Sequence, residues 1–376
     1  MDNLKYIKVF FNGAPVGTIA QYDKIRTAFQ YAPSWIESGF SISPLSLPLD
    51  NRVHIASAGP FDGMYGVFND VLPDGWGRLV TDRYLASKKI NPQSVSALSR
   101  LALINSDSIG ALSFEPMLLD KDPAGTDYNI DDFYDEARRM LLCEYKEADL
   151  DSLFRYGSAS NGARPKILIE MDGKSWLIKF PSIYDEDDMG QMEYDYHEAA
   201  IECGIQIPEI KLLPSTRCSG IFASKRFDRD KKGRRIHVVS VSGLLESHHS
   251  IPALDYRHIF KLSFLLSKDL DELMRIYDLM CFNVLSHNQD DHAKNFSFIF
   301  SEDDMKWRLS PAYDLTFSST TWGEQSTTVN GKGRDITVED AIMTALPFGL
   351  EEKKLREHYS AIAEIVHTKL GRYIRG

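Results

Sequence analysis

The sequence predicts an α+β fold, in which a strand-rich N-terminal part precedes a mainly helical C-terminal part. Two observations predict it. Short apolar segments closed by Gly-containing turns dominate the first part, and apolar residues at helical spacing dominate the second. With 376 residues, 43% hydrophobic and 26% charged, the chain has ordinary globular composition and a length suited to two or three domains.

The elements follow in order. Tyr6 to Phe11 reads as a strand closing on an Asn12-Gly13 turn. In LPDGWGRLVTDRYLAS (72–87), a Pro-Asp-Gly turn leads into a helix. Near residues 115–130, GALSFEPMLL gives way to DKDPAGTDYNIDD, a run of turn formers and acids. This shift places a boundary that divides 1–120 from 121–376. A helix is expected from residue 131 (DDFYDEARRMLL), then the loop RYGSASNGARPK (155–166). A hairpin follows, from Ile167–Met171 through the turn Asp172-Gly173 to Trp176–Phe180. The next helix runs from about Met192 to Cys203 and ends at Gly204, the residue that most easily takes a left-handed cap. Segments 209–213, 219–227 and 235–242 read as strands. The remainder is helical except for a hairpin at 296–310.

Several function classes are disfavoured. No stretch approaches the ~18 apolar residues of a membrane helix. The opening MDNLKYIKVFFNG lacks the apolar core of a secretion signal. Cys143, Cys203, Cys218 and Cys281 form no CxxC pair, so buried free thiols in a reducing cytoplasm are expected. A net charge of −11 argues against the chain holding DNA by itself. The densest basic stretch, Arg226 to Arg235, contains a Gly turn and reads as a solvated hairpin tip.

The chemistry concentrates after one helix. DELMRIYDLMCFNVLSHN (271–288) sets Leu273, Ile276, Tyr277, Met280, Cys281, Val284 and Leu285 on one stripe, the spacing of a buried helix. Immediately beyond it, HNQDDHAKNFSFIF (287–300) crowds acids, histidines, a lysine and an asparagine into one short loop. Such loops at the ends of rigid elements often carry function. If 296–300 pairs with 306–310, the hairpin brings Asn295 beside Asp314, although 19 positions separate them. Two oxygen ligands placed so suit Mg²⁺. Asp290, just upstream, is a candidate proton acceptor. Protein kinases divide the labour in this way, and a strand-rich part followed by a helical part is also their layout. The same loop has a second reading, a metal-dependent phosphohydrolase using His287, Asp290, Asp291 and His292. A third is a non-catalytic pseudokinase binding module.

A kinase also needs a strand lysine and a partner acid. Lys179 lies in the apolar strand WLIKFP, and the following helix offers Glu193, expected in its first turn, or Glu198. The 155–166 loop has the small residues that let backbone N–H groups approach a phosphate. Its Gly157 and Gly162 have P-loop spacing, but Ala163-Arg164 stand where Lys-Ser/Thr is needed, and a strand follows.

In order, NGARPK (161–166), WLIKFPS (176–182), KRFDR (225–229), DDHAKNFSF (290–298) and PAYDL (311–315) resemble the HipA-type kinases over nearly the whole chain. VLPDGWGR (71–78) and SIGALSF (108–114) resemble that family's N-terminal subdomain. The resemblance implies a two-lobed protein-kinase-like fold: an N-terminal subdomain (1–120) and a kinase domain (121–376). The latter splits into a nucleotide-binding part, about 121–245, and a helical catalytic lobe, about 246–376. It implies Asp290 as catalytic base, Asn295 and Asp314 as Mg²⁺ ligands, and Lys179 on the ATP phosphates. His292 and Lys294 shape the catalytic loop, Lys294 near the γ-phosphate. Gly162 and Ala163 belong to the phosphate-side loop, and Lys225 to Phe227 to the adenine hinge. Ser158 and Ser160 are the candidates for the autophosphorylation known in the family, which expels the loop and silences the kinase. Many members carry Gln where Arg164 stands. The resemblance further implies a protein serine/threonine substrate and a cytoplasmic location. It also implies a small helix-turn-helix antitoxin of the HipB type, through which DNA is contacted.

Overall fold

The computed structural model describes residues 4–104, 108–118, 128–251, 253–320 and 322–374. The boundary expected at residue 120 lies outside the described residues. The strands are β1 (Tyr6–Phe11), β2 (Ala14–Gln21), β3 (Thr27–Tyr31), β4 (His54–Ile55), β5 (Leu112–Glu115), β6 (Lys166–Met171), β7 (Lys174–Lys179), β8 (Ile210–Leu213), β9 (Ile221–Lys225), β10 (His237–Ser240), β11 (Ser297–Ser301) and β12 (Lys306–Leu309). The helices are α1 (Pro33–Ser38), α2 (Gly66–Asn69), α3 (Gly75–Ser87), α4 (Ala97–Leu101), α5 (Ile130–Leu141), α6 (Glu147–Gly157), α7 (Met189–Glu202), α8 (Val241–Leu244), α9 (Tyr256–Ser267), α10 (Leu270–Leu285), α11 (Val338–Ala345) and α12 (Glu352–Ile374). The chain divides into two compact units. One comprises Met1–Gly190, Lys211–Val239 and Gly243–Glu246; the other comprises Gln191–Ile210, Ser240–Ser242 and Ser247–Gly376.

The first unit holds two sheets. One is ordered β4-β3-β2-β1-β5 and the other β6-β7-β9-β8. Two-residue turns close the β1–β2 and β6–β7 hairpins. Asn12-Gly13 and Asp172-Gly173 all have positive φ, as the twist-matched hairpin turn requires. Trp176, Ile178, Ile167, Ile169 and Ala223 bury one face of the second sheet against Phe133, Met140, Leu153 and Phe154 of α5 and α6, and against Trp76 and Val80 of α3.

The basic stretch 226–235 departs from the expected solvated tip. Asp228 is buried and paired with both Arg226 and Arg229, and it also accepts the Gly110 N–H at 2.8 Å. Arg235 donates to the Gly110 carbonyl at 2.8 Å and to the Ser108 hydroxyl at 2.8 Å. Three of these cations therefore fasten the 108–114 segment, and the buried Asp228 carboxylate offsets the charge brought in with them. Only the turn around Asp230 and Arg234 is solvated.

In the second unit α10 is the buried axis. Leu273, Ile276, Tyr277, Met280 and Cys281 are buried as expected, whereas Val284 and Leu285 are half-buried. The Tyr277 hydroxyl donates to the Leu355 carbonyl of α12 at 3.0 Å, and the Tyr196 hydroxyl of α7 donates to the Ser286 carbonyl at 2.7 Å. Strands β11 and β12 pair antiparallel from Phe298–Leu309 to Ser301–Lys306. Of the cysteines, only Cys281 is fully buried; Cys143 is exposed. Among the described residues no helix is long and apolar enough to cross a membrane.

Candidate active site

In the first unit, the register of the second sheet selects the lysines. Lys179 of β7 lies opposite Lys166 of β6 and Phe222 of β9, so the three side chains share a face. The Lys179 ammonium stands 5.7 Å from the centre of the Phe222 ring. Lys166 is buried and donates to the Asn161 carbonyl at 2.5 Å. Lys225 ends β9, and Phe227 sits half-buried in the turn beyond it.

The Gly/Ser loop is shorter than expected, because α6 continues through Gly157. The remaining segment, 158–166, is held from α3 and the turn before it. Asp74 stands at the N-terminal cap of α3, where an Asp ordinarily caps its own helix. Here its side chain accepts the Gly162 N–H instead. The Trp76 N–H donates to the Gly162 carbonyl at 2.9 Å, and its indole N–H to the Lys166 carbonyl at 3.0 Å. Asn161 accepts from the Asp74 N–H and donates to the Asp70 carbonyl at 3.0 Å. A Cβ on Gly77 would stand 2.2 Å from the Ser160 carbonyl oxygen, so that approach requires glycine. Ser158 and Ser160 are 6% and 3% exposed, and the Ser160 hydroxyl donates to the Gly157 carbonyl at 2.6 Å. Gly162 has φ +94° and Ala163 is exposed. Arg164 forks onto Asp185 at 3.0 and 3.1 Å. Burial raises the Asp185 carboxyl, but Arg164 and the Ser182 N–H outweigh it and leave it below its usual range.

In the second unit, the loop after α10 splits its two adjacent acids. Asp291 is 1% exposed. Its carboxyl accepts from the Tyr256 hydroxyl at 2.8 Å, the Thr327 N–H at 3.0 Å and the Gln325 amide at 3.1 Å. Burial nonetheless pushes it up to about 8. The Asp290 side chain is 62% exposed, with one oxygen 3.9 Å from His292 Nε2. Its backbone is fixed at both ends: the N–H donates to the Ser318 hydroxyl at 2.9 Å and the carbonyl accepts from the Asn295 amide at 2.6 Å. That bond uses the Asn295 nitrogen and leaves the amide oxygen for another partner.

The Tyr313 hydroxyl donates to the Lys294 carbonyl at 2.6 Å and lies 2.6 Å from the Ser297 hydroxyl, tying the end of the β11–β12 hairpin to its beginning. Asp314 follows with φ +55°, a backbone conformation uncommon outside glycine and frequent at functional sites. Its carbonyl accepts from Asn288 at 3.5 Å. The loop thus offers one exposed carboxylate able to take a proton, and an amide oxygen and a second carboxylate suited to a hard cation.

Glu193 is buried but lies in the second turn of α7, not the first, because the helix begins at Met189; Glu198 is exposed. The phosphohydrolase set is not assembled. Asp291 is committed to the fold, and among the described residues no group of three or more His, Cys, Asp and Glu is placed to hold a metal ion. The residues that the sequence did not single out are Asp74, Trp76, Lys166 and Asp185. The Pro-Asp-Gly turn was visible, but it signalled a local helix start rather than a grip on a loop nearly ninety positions away.

Residues 158–370 match the HipA-like C-terminal domain, and residues 7–115 match the HipA N-terminal domain. The chain belongs to the HipA family. A HipA chain from the Shewanella oneidensis MR-1 toxin–antitoxin complex of HipA, HipB and operator DNA superposes with a TM-score of 0.72 at 17% identity, covering 97% of this chain and 90% of that one. The Helicobacter pylori proinflammatory kinase CtkA reaches a TM-score of 0.38 at 12% identity, covering 55% of this chain and 90% of its own. No curated protein sequence matches. The fold is therefore that of HipA, an α+β arrangement with a strand-rich N-terminal part and a mainly helical C-terminal part.

Proposed function

We propose that this HipA-family chain is a serine/threonine protein kinase that transfers the γ-phosphate of Mg-ATP to a protein hydroxyl. One observation carries the reading. The hairpin return at Tyr313 reaches Lys294, next to Asn295, while the neighbouring Asp290 carboxylate stays exposed. In this reading Asp290 accepts the proton of the incoming hydroxyl, and His292 and Lys294 complete its loop. Lys179 binds the phosphates beside the Gly162-Ala163 backbone, Lys225 and Phe227 border the adenine, and Glu193 serves the nucleotide part. The oxygen donors of Asn295 and Asp314 fit Mg²⁺, which when bound neutralises charge on the phosphates.

Autophosphorylation at Ser158 or Ser160 belongs to the same reading, and the burial of both requires the loop to leave its seat first. We assign residues 1–120 to the N-terminal subdomain and 121–376 to the kinase domain. The HipA–HipB–DNA complex supports a toxin role here, with a HipB-type antitoxin supplying the operator contacts in the cytoplasm. The charge of −11 is consistent with DNA being reached only through such a partner.

Thermal shift and γ-³²P-ATP labelling test the proposal. ATP should stabilise the native protein only when Mg²⁺ is present. Asp314→Ala should abolish that stabilisation, and native protein should become labelled. A chain that neither gains stability from Mg-ATP nor transfers label to itself or to cell extract would refute the reading.

A further inference from the structure

The loop at 290–295 is braced by a segment that the kinase reading does not use. The Val241 N–H donates to the Phe296 carbonyl at 2.8 Å, fixing that segment's start one residue past Asn295. Ser242 is fully buried and donates to the Ser247 carbonyl at 2.7 Å, while the Ser247 N–H returns a bond to the Ser242 carbonyl at 3.0 Å. Immediately beyond, a tight turn holds His248. Its Nδ1 lies 2.7 Å from the Ser250 hydroxyl, and its carbonyl accepts from the Ile251 N–H at 3.1 Å. The His248 ring stacks on His249 at 4.6 Å and 24°, and His249 packs on His292 at 5.1 Å and 55°.

A histidine at a reactive site is ordinarily oriented by a hydrogen bond at the nitrogen that does not face the chemistry. His292 departs from that pattern. Its Nδ1 is buried and makes no hydrogen bond, while Nε2 faces Asp290. Ring packing then fixes its rotation, and His249 provides such packing. We infer that His249, backed by His248, is a positioning residue that holds the His292 ring and, through it, the exposed Asp290 carboxylate. The inference rests on the kinase reading for its effect on rate, but not for the geometry itself. The contact between His249 and His292 is one of ring on ring, so a flat ring at position 249 is what the inference requires.

The test uses full-length protein in three variants, His249→Ala, His249→Gln and His249→Phe, each checked by its thermal unfolding midpoint. Ala and Gln should lower the kcat for phosphoryl transfer on the order of tenfold, leaving the KM for ATP within about twofold, since misplacement costs rate more than binding. Phe should restore most of the rate. In ¹⁵N-histidine-labelled protein without nucleotide, the His292 ring resonances should shift with Ala and Gln and return towards native values with Phe. Full activity and unmoved His292 resonances in Ala would overturn the inference. A Phe variant as slow as Ala would overturn it too, by giving the nitrogens a role. If native protein transfers no phosphate, the kinase reading fails, and the ring resonances alone decide the positioning. Should Ala not fold, the contrast between Gln and Phe decides the question in the same way.

Discussion

The loop after α6 and the loop after α10 solve the same problem in opposite ways. Both are polar segments that leave the end of a helix, α6 with one buried face and α10 largely buried. The first, 158–166, is gripped through its backbone, and its two hydroxyls are buried with it. The second divides the work between neighbours: Asp291 faces in and holds the loop, and Asp290 faces out at 62% exposure. Adjacent residues in extended chain point to opposite sides, so a tightly fixed backbone can still present a carboxylate to solvent. The second loop thus presents a carboxylate outward as it stands, whereas the first is in a holding state with its hydroxyls inside.

The largest effect should come from breaking the inward anchor. Asp291→Ala strands the Tyr256 hydroxyl, the Gln325 amide and the Thr327 N–H in the interior, and should cost on the order of 4 kcal/mol by urea unfolding. The sign with pH is also fixed. The unfolded carboxyl loses its proton near 3.8, while the folded one keeps it up to about 8. Between those values the native state binds more protons, so this group's contribution falls as pH rises from about 4 to 8. Asp291→Asn should flatten that slope; an unchanged slope would place the pH dependence elsewhere. By contrast, Asp290→Ala should leave the unfolding free energy within about 0.5 kcal/mol, as expected at an exposed site. It should still lower phosphoryl transfer by about a hundredfold or more, roughly 3 kcal/mol of barrier. If Asp290→Ala instead unfolds the protein, the division of labour between the two acids is wrong.

A smaller effect should expose the holding state of the other loop. In Gly77→Ala the new Cβ meets a backbone oxygen that cannot swing aside as a side-chain tip would. The overpacking should cost about 2 kcal/mol and show as faster proteolytic cleavage between residues 158 and 164. Cleavage at the native rate would mean that the loop does not depend on this close approach.

Much of the fold was legible because it is local. Asn12-Gly13 announced the turn after β1, Asp172-Gly173 announced a hairpin, and the stripe on α10 announced a buried helix that ends in a dense polar loop. A hairpin of 296–300 with 306–310 followed from two apolar runs around a polar turn, and the strands form at 297–301 and 306–309 in a register one residue later. The hidden features depend on distant partners. Asp74 looks like a helix cap and binds Gly162; Arg226, Arg229 and Arg235 look like a solvated charge run and close on Asp228 and the 108–110 backbone. Nor does the pair Asp290-Asp291 reveal which acid turns inward, because that choice belongs to Tyr256, Gln325 and Thr327, each more than thirty positions away.

Arg164 gives the most delicate test of how firmly the first loop is held. Its fork onto Asp185 pins the strand side of the loop, but the Arg164 side chain is 33% exposed and Asp185 13%, so solvent screens much of the attraction. Arg164→Gln should therefore cost less than about 1 kcal/mol. The loss should itself depend on pH. The folded Asp185 carboxyl is held below its usual range, so its contribution is present above about 3.8 and disappears as acid protonates the folded form. Native protein and Arg164→Gln should thus differ at pH 7 and converge as the pH falls below 3.8. A difference that persists in acid would mean that Arg164 holds the loop by packing its stem rather than by its charge.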